Sequence, residues 1–185
     1  MNAPARPPRM TVPEFLDWAA GQEGRYELVD GQPIGMAPER VRHAVVKFAV
    51  ARALDDAVRE AGIPCRVFTD GVSVAIDQHT VREPDCSVQC GKEPDLDSMF
   101  IDAPMIVVEV TSPSSTRDDT TAKLVEYFSV PSIVHYIIVR TDQSVIIHHR
   151  RDAGGTIATQ ISGDGDIVLD PPGISIPVTR LLGAA

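Results

Sequence analysis

Apolar residues recur at helical intervals along residues 40–61, and this pattern predicts the longest helix of the chain. The apolar positions at these intervals are Val41, Val45, Phe48, Leu54 and Val58. Gly62 follows directly, and glycine is common where a helix ends in the left-handed conformation. A shorter amphipathic helix is predicted after Thr11, because Thr11 and Glu14 have the spacing of a capping box.

Shorter apolar segments indicate strands. Met105–Thr111 is almost continuously apolar, which is typical of a central strand covered on both faces. A helix over 116–129 and a strand over 133–140 are predicted next, and such a crossover makes the two strands parallel. Residues 25–34 are predicted to form a β-hairpin around Asp30-Gly31. The other predicted strands lie at residues 65–69, 72–76, 82–88, 145–150, 157–161 and 166–169.

These elements predict an α/β (α+β) fold built on a mixed β-sheet, because strands predominate and two longer helices separate them. The 185 residues contain no internal repeat and no obvious linker, so we expect a single domain over residues 11–185. Residues 1–10, which are rich in proline, are expected to form a mobile tail.

The composition narrows the possible classes of function. Seventeen Lys and Arg against 26 Asp and Glu give a net charge of −9, which disfavours a basic nucleic-acid coat but permits one local contact. No apolar segment approaches the length of a membrane span, so we expect no membrane insertion. Cys65, Cys86 and Cys90 fit neither a disulfide framework nor a zinc site, so we expect reduced thiols and a cytoplasmic location.

Two carboxylates carry the most informative chemistry. Glu109 lies inside the apolar strand, where an ionised carboxylate is costly unless it is paired, hydrogen-bonded or bound to a metal. Asp85, which follows Pro84, begins an earlier extended segment. If neighbouring strands bring the two together, they form a hard-oxygen site suited to Mg²⁺ or Mn²⁺. Each has a simpler alternative: a bend or edge that brings Glu109 to water, and an ordinary Pro-Asp turn at Asp85.

Lys123 lies on the helix that is predicted directly after the Glu109 strand. A lysine there can orient or activate water near a bound metal and stabilise charge that develops on a phosphate. The alternative is an exposed lysine that pairs with Asp119, four residues earlier on the same helix. Spacing alone favours this alternative.

Pro84-Asp85, Glu109-Val110-Thr111 after an apolar strand, and a lysine on the next helix together resemble the PD-(D/E)XK nuclease superfamily. More narrowly, the chain resembles a restriction-endonuclease-like family of bacterial proteins whose function is largely unknown. The segments that carry this resemblance are 26–31, His43, 83–85, 108–113, Lys123 and Tyr127. The resemblance extends over residues 11–182 and implies a restriction-endonuclease-like mixed β-sheet core flanked by helices, with an extra N-terminal β-hairpin.

The resemblance also implies a role for each matching residue. Asp85 and Glu109 would ligate Mg²⁺ or Mn²⁺, and the backbone carbonyl of Val110 would be a further ligand. Thr111 stands where the superfamily usually has its motif lysine, and Lys123 would replace that lysine from the neighbouring helix.

Four other side chains are weaker candidates. Glu27, in the early hairpin, would add a carboxylate to the metal site or position a water; alternatively, it is a solvated strand residue beside Arg25. His43 would contact a phosphate or carry a proton, although a lone histidine on a helix is more often structural. His148 and His149 point to opposite faces of one strand, so they cannot share a metal, and we expect them at the surface.

Two hypotheses about function follow. The first is a metal-dependent endonuclease that hydrolyses DNA phosphodiester bonds as a homodimer and presents a local basic wall to DNA. That wall would comprise Arg40, Arg42, Lys47, Arg52, Arg59 and Arg66. The second is a catalytically degenerate nuclease fold that acts as a dimeric binding or assembly module. An intact enzyme must hold Asp85, Glu109 and Lys123 within a few ångströms of one another, whereas a degenerate module need not.

Overall fold

Residues 9–111 and 117–183, which the computed structural model describes, contain four helices and twelve strands. The helices are α1 (Val12–Ala19), α2 (Val41–Ala61), α3 (Arg117–Ser129) and α4 (Val178–Leu181). The strands are β1 (Tyr26–Val29), β2 (Gln32–Gly35), β3 (Cys65–Thr69), β4 (Val74–Asp77), β5 (Thr80–Arg82), β6 (Cys86–Cys90), β7 (Pro104–Thr111), β8 (His135–Arg140), β9 (Val145–Arg151), β10 (Ile157–Ser162), β11 (Asp166–Leu169) and β12 (Ile174–Pro177).

The central element is a six-stranded sheet in the order β10-β9-β8-β7-β6-β3. Its strands pair antiparallel except for β7 and β8, which are parallel and are joined through α3. The predicted strand–helix–strand crossover and the mixed sheet flanked by helices are therefore confirmed.

Strand β7 presents its two faces to different helices, because successive side chains of a strand point to opposite sides. Ile106, Val108 and Val110 pack into the core beneath α2, together with β11, β12 and α4. Val107 packs on the other face, in the core that includes Tyr127 of α3. Since position 109 shares that face with position 107, the Glu109 carboxylate is directed towards α3.

The predicted N-terminal hairpin of β1 and β2 is present, and it forms half of a second, four-stranded sheet in the order β2-β1-β5-β4. The predicted capping box of Thr11 and Glu14 begins α1, whose Phe15 packs on this sheet. Of the predicted tail, residues 1–8 lie outside the described residues, whereas the amide of Met10 donates to the carbonyl of Gly31 at 2.9 Å.

The segment predicted as one strand over 82–88 is divided between the two sheets. Strand β5 ends at Arg82 and β6 begins at Cys86, because Pro84 between them has no N–H to donate to a ladder. This break places Asp85 at the start of β6, beside the end of its antiparallel neighbour β7.

The predicted long helix is confirmed, including its end at Gly62, whose φ is 63°. Its first three apolar positions are nevertheless exposed: Val41 is 82% exposed and Phe48 is 69% exposed, and Val45 lies beside them. The buried face is formed instead mainly by small side chains that let the helix approach the sheet closely. They are Val46, Val50, Ala51, Ala53, Leu54, Ala57 and Val58.

The expectation of three reduced thiols is wrong for two of the cysteines. Cys65 on β3 and Cys90 on β6 lie opposite each other, with 4.0 Å between their Cα atoms, and form a disulfide. Cys86 is a buried free thiol, in agreement with its prediction as a small apolar residue. The cytoplasmic location therefore loses the support of the cysteines and stays a prediction.

The expectation that His148 and His149 lie at the surface is also wrong, since both are buried. The Nε2 atom of His148 lies 2.9 Å from Nδ1 of His135, and Nδ1 of His149 lies 2.8 Å from the Thr159 hydroxyl. Side chains of the neighbouring strands β8 and β10 therefore lie beside each histidine, on its own face of the sheet. Spacing along β9 alone does not reveal these partners.

No helix within the described ranges has both the length and the apolar character that a bilayer crossing requires.

Candidate active site

A cavity of about 730 Å³ opens where β7 ends and β6 begins. Its lining includes all five candidate side chains from the sequence: Glu27, His43, Asp85, Glu109 and Lys123. They come from both sheets and from α2 and α3, so the fold brings together residues that are up to 96 positions apart (27 to 123) in the chain.

Asp85 is held in place by three donors. Its Oδ2 atom accepts a hydrogen bond from the Val110 amide at 2.7 Å and lies 3.3 Å from Nε2 of His43. Its Oδ1 atom lies 3.3 Å from Nζ of Lys47. Burial raises the pKa of Asp85, but the His43 and Val110 hydrogen bonds outweigh it and leave the pKa below its ordinary value. Asp85 is therefore an ionised carboxylate near neutral pH.

Glu109 is buried, with 7% of its surface exposed, so the alternative of a bend that brings it to water is wrong. Its Oε1 atom accepts hydrogen bonds from Nζ of Lys123 at 2.9 Å and from the Tyr127 hydroxyl at 2.7 Å. Burial raises the pKa of Glu109 to about 7; Lys123 opposes this shift, while Asp85 adds to it.

Lys123 points into the cavity from α3. Its Nζ atom lies 2.9 Å from Oε1 of Glu109 and 3.6 Å from Oε1 of Glu27. Its alternative partner, Asp119, lies outside the described side chains. The lysine that was predicted on the neighbouring helix thus reaches the carboxylate inside the apolar strand.

Glu27 is buried rather than solvated, because a neighbouring arginine neutralises it. Its Oε2 atom accepts from Nη1 of Arg82 at 2.8 Å, and its Oε1 atom accepts from the Glu83 amide at 3.0 Å. Arg82 also binds Glu126 of α3 through two hydrogen bonds, of 2.6 and 3.0 Å. The sequence does not single out Arg82, because its strand, Thr80–Arg82, is too short to show the apolar run that identified Glu109.

Lys47 does not belong to a basic wall, because it is buried and only 8% exposed. Its Nζ atom pairs with Glu39 and lies 2.7 Å from Asp70, in addition to its contact with Asp85. Three other members of the proposed wall pair with acidic residues outside the cavity: Arg52, Arg59 and Arg66. Arg40 and Arg42 alone among the six line the cavity as exposed side chains.

The donors at the cavity are compatible with Mg²⁺ or Mn²⁺. Within residues 9–111 and 117–183, no cluster of three or more His, Cys, Asp or Glu side chains forms a ready-made metal cage. Asp85 and Glu109 supply two carboxylates. The Val110 N–H points to Asp85. Because the N–H and C=O of one strand residue point to the same neighbouring strand, the Val110 carbonyl also faces the side of Asp85. Mg²⁺ in phosphate-transfer sites is typically held by one or two carboxylates plus substrate oxygens, so this set fits.

Comparison with known proteins covers nearly the whole chain. The Uma2 family, described as "Putative restriction endonuclease", matches residues 12–179. An uncharacterized protein of Synechocystis sp., slr1290, is 26% identical over 180 residues, which are 96% of this chain and 94% of the relative. The crystal structure of a "putative nuclease belonging to DUF820" from Anabaena variabilis has the same fold, with a TM-score of 0.76 at 15% identity over 94% of this chain and 97% of that chain. The resemblance drawn from the sequence motifs is thereby confirmed, and the chain belongs to the Uma2 family.

Proposed function

We propose that the protein is a Mg²⁺- or Mn²⁺-dependent endonuclease that hydrolyses DNA phosphodiester bonds. Its family is described as "Putative restriction endonuclease", which supports a nuclease function in general. The observation that carries the proposal is the convergence of Asp85, Glu109 and Lys123 at one cavity, with the lysine ammonium 2.9 Å from a carboxylate oxygen. This is the arrangement that a catalytically degenerate module has no need to keep.

In this proposal the chain's residues divide the work of an in-line hydrolysis. When bound, a divalent cation would act as a Lewis acid on the scissile phosphate. Asp85 and Glu109 would hold that cation, and the Val110 amide fixes the orientation of Asp85. Lys123 orients the attacking water and stabilises the negative charge that grows on the phosphate.

His43 supplies a proton at the same cavity. Its hydrogen bond to Asp85 raises its pKa above the ordinary value, so the ring carries its proton closer to neutral pH. A protonated imidazole that lines the cavity can give this proton to the leaving oxygen as the phosphodiester bond breaks.

The test compares Asp85→Asn and Glu109→Gln with a matched control, Glu60→Gln, which removes an exposed acid from α2. We expect each site variant to lower cleavage of plasmid DNA in Mg²⁺ by at least about 100-fold, since even outer-shell partners of a metal contribute about 10- to 100-fold. Calorimetry should show weaker Mg²⁺ binding, and circular dichroism should show an unchanged fold. The control should behave like the wild type.

An unchanged cleavage rate in Glu109→Gln would refute the proposal. A wild-type protein that neither binds Mg²⁺ nor cleaves DNA would favour the binding or assembly module instead. The homodimer predicted from the sequence stays a prediction, and its molar mass in solution, measured by light scattering, tests it.

A further inference from the structure

Two arginines at the mouth of the cavity have no acidic partner among the side chains that the structure describes. The side chains of Arg40 and Arg42, at the start of α2, line the cavity and are exposed. Neither guanidinium makes an ion pair or a hydrogen bond with any residue in the described ranges. In a chain of net charge −9, uncompensated positive charge at a cavity needs an explanation.

Two acids of the cavity lining, Glu39 and Asp142, already pair with other basic side chains. Glu39 precedes Arg40 directly, but it pairs with the buried Lys47. Asp142, on the cavity lining, pairs with Arg140 at 3.1 Å. The positive charge of Arg40 and Arg42 is therefore available to an anionic ligand.

Arg40 and Arg42 lie close in the chain to His43, which contacts a candidate metal ligand. His43 follows Arg42 in the chain, and its ring reaches Asp85, a candidate metal ligand, at 3.3 Å. Arg40 and Arg42 thus stand within one helical turn of the candidate site but outside its hydrogen-bond network. A phosphate at Asp85 and Glu109 would have its neighbours along a nucleic-acid strand near this rim.

We propose that Arg40 and Arg42 bind the phosphates that flank the scissile one and so anchor the DNA strand at the cavity. This inference rests on the proposed function. A guanidinium binds a phosphate through two parallel hydrogen bonds and stays charged at every physiological pH, which suits it to this role.

The experiment compares Arg40→Gln and Arg42→Gln with Arg150→Gln. Arg150 is a matched control because it is exposed on β9, lies outside the cavity lining and makes no ion pair within the described residues. Binding of a fluorescent duplex oligonucleotide is measured by anisotropy over a range of salt concentrations, with Ca²⁺ in place of Mg²⁺ to prevent cleavage. The slope of log K against log salt is negative, and each lost phosphate contact should reduce its magnitude by about 0.9. The control should leave the slope unchanged.

A second measurement separates anchoring from chemistry. Arg40→Gln and Arg42→Gln should raise the KM for DNA much more than the KM for bis(p-nitrophenyl) phosphate, which has only one phosphate. Salt slopes equal to that of Arg150→Gln would overturn the inference, and so would an equal loss of activity on the small substrate.

The outcomes also distinguish this inference from the proposed function. If the wild type cleaves DNA and the arginine variants bind it normally, only the anchoring is refuted. If DNA is bound with the expected changes in slope but is never cleaved, the phosphate contacts of Arg40 and Arg42 are supported and the endonuclease proposal fails. If the wild type does not bind DNA at all, the anchoring is refuted outright.

Discussion

Acid should destabilise the protein through two buried histidines, His135 on β8 and His148 on β9. Nε2 of His135 lies 2.7 Å from the carbonyl oxygen of Pro171, and its Nδ1 lies 2.9 Å from Nε2 of His148. A carbonyl can only accept, so Nε2 of His135 carries a proton and Nδ1 accepts from His148 when both rings are neutral. The folded structure is therefore satisfied with two neutral imidazoles.

The direction and size of the effect follow from the pKa values. Burial lowers the pKa of each ring from 6.5 to about 4, and His135 adds to the effect on His148. Between these values the unfolded chain binds more protons than the folded one, so the free energy of unfolding falls as the pH falls through this window. The loss at about pH 5 is about 1 to 2 kcal/mol per histidine, against a typical total stability of about 5–15 kcal/mol.

The pKa values of other groups shift in the opposite direction. The assay therefore compares variants with the wild type, so that the contribution of the histidine pair can be separated from theirs. The pKa of His43 is raised by Asp85 and that of Glu109 is raised by burial, and both favour the folded state as the pH falls. His148→Gln keeps an N–H donor for His135 but removes one titrating ring. Urea denaturation near neutral pH and at about pH 5 should show that this variant loses about 1 to 2 kcal/mol less stability than the wild type.

The control for this comparison is Gln160→Ala, which changes an exposed, uncharged side chain on β10 and removes no titrating group. It should lose as much stability on acidification as the wild type. If His148→Gln also loses as much, the buried pair does not govern the acid response, and the assignment of two neutral rings is refuted.

Three further predictions concern the packing around the cavity. Tyr127→Phe removes a buried donor to Glu109 and should cost about 1–3 kcal/mol of stability, measured by urea denaturation. Arg82→Met removes the arginine that pairs with the buried Glu27 and the partly buried Glu126 and should cost about 3–5 kcal/mol, visible as a lower thermal midpoint. On α2, Leu54→Ala should cost about 2–5 kcal/mol, whereas Phe48→Ser on the exposed face should change stability by less than about 0.5 kcal/mol. Equal losses in these two variants would contradict the assigned faces of α2.

Local signals in the sequence predicted the elements well. The capping box at Thr11, the glycine at position 62 and the apolar run before Glu109 each depend on residues within one turn or one strand. Glu109 could be singled out because a charge inside a buried strand needs a partner, whichever strand or helix supplies it. Lys123 could be placed on the adjacent helix by counting along the chain.

Features that depend on strand register could not be predicted in this way. The disulfide requires Cys65 and Cys90 to lie opposite each other across β3 and β6, and 25 residues separate them. β3 and β4 follow one another closely in the chain but belong to different sheets. The histidine pair likewise arises only from the pairing of β8 with β9, in which Ile137 lies opposite His148. Nothing in the spacing of these residues encodes which strands become neighbours.

The second sheet explains how the site can place its lysine on a helix. Thr111 occupies the usual motif position, so Lys123 must be held on α3 at a fixed distance from Glu109. Glu27 of β1 stands on the other side of its ammonium, at 3.6 Å.

Arg82 of β5 joins these parts, because it binds both Glu27 and Glu126, and Glu126 lies on α3 three residues after Lys123. The helix is therefore tied to the second sheet at Glu126 and to the central sheet at Lys123. A lysine on a helix anchored in this way is constrained from both sides, much as a strand would constrain it. The N-terminal hairpin is thus part of the scaffold of the candidate site, and we expect that disrupting β1 would displace Lys123 as effectively as a change in α3.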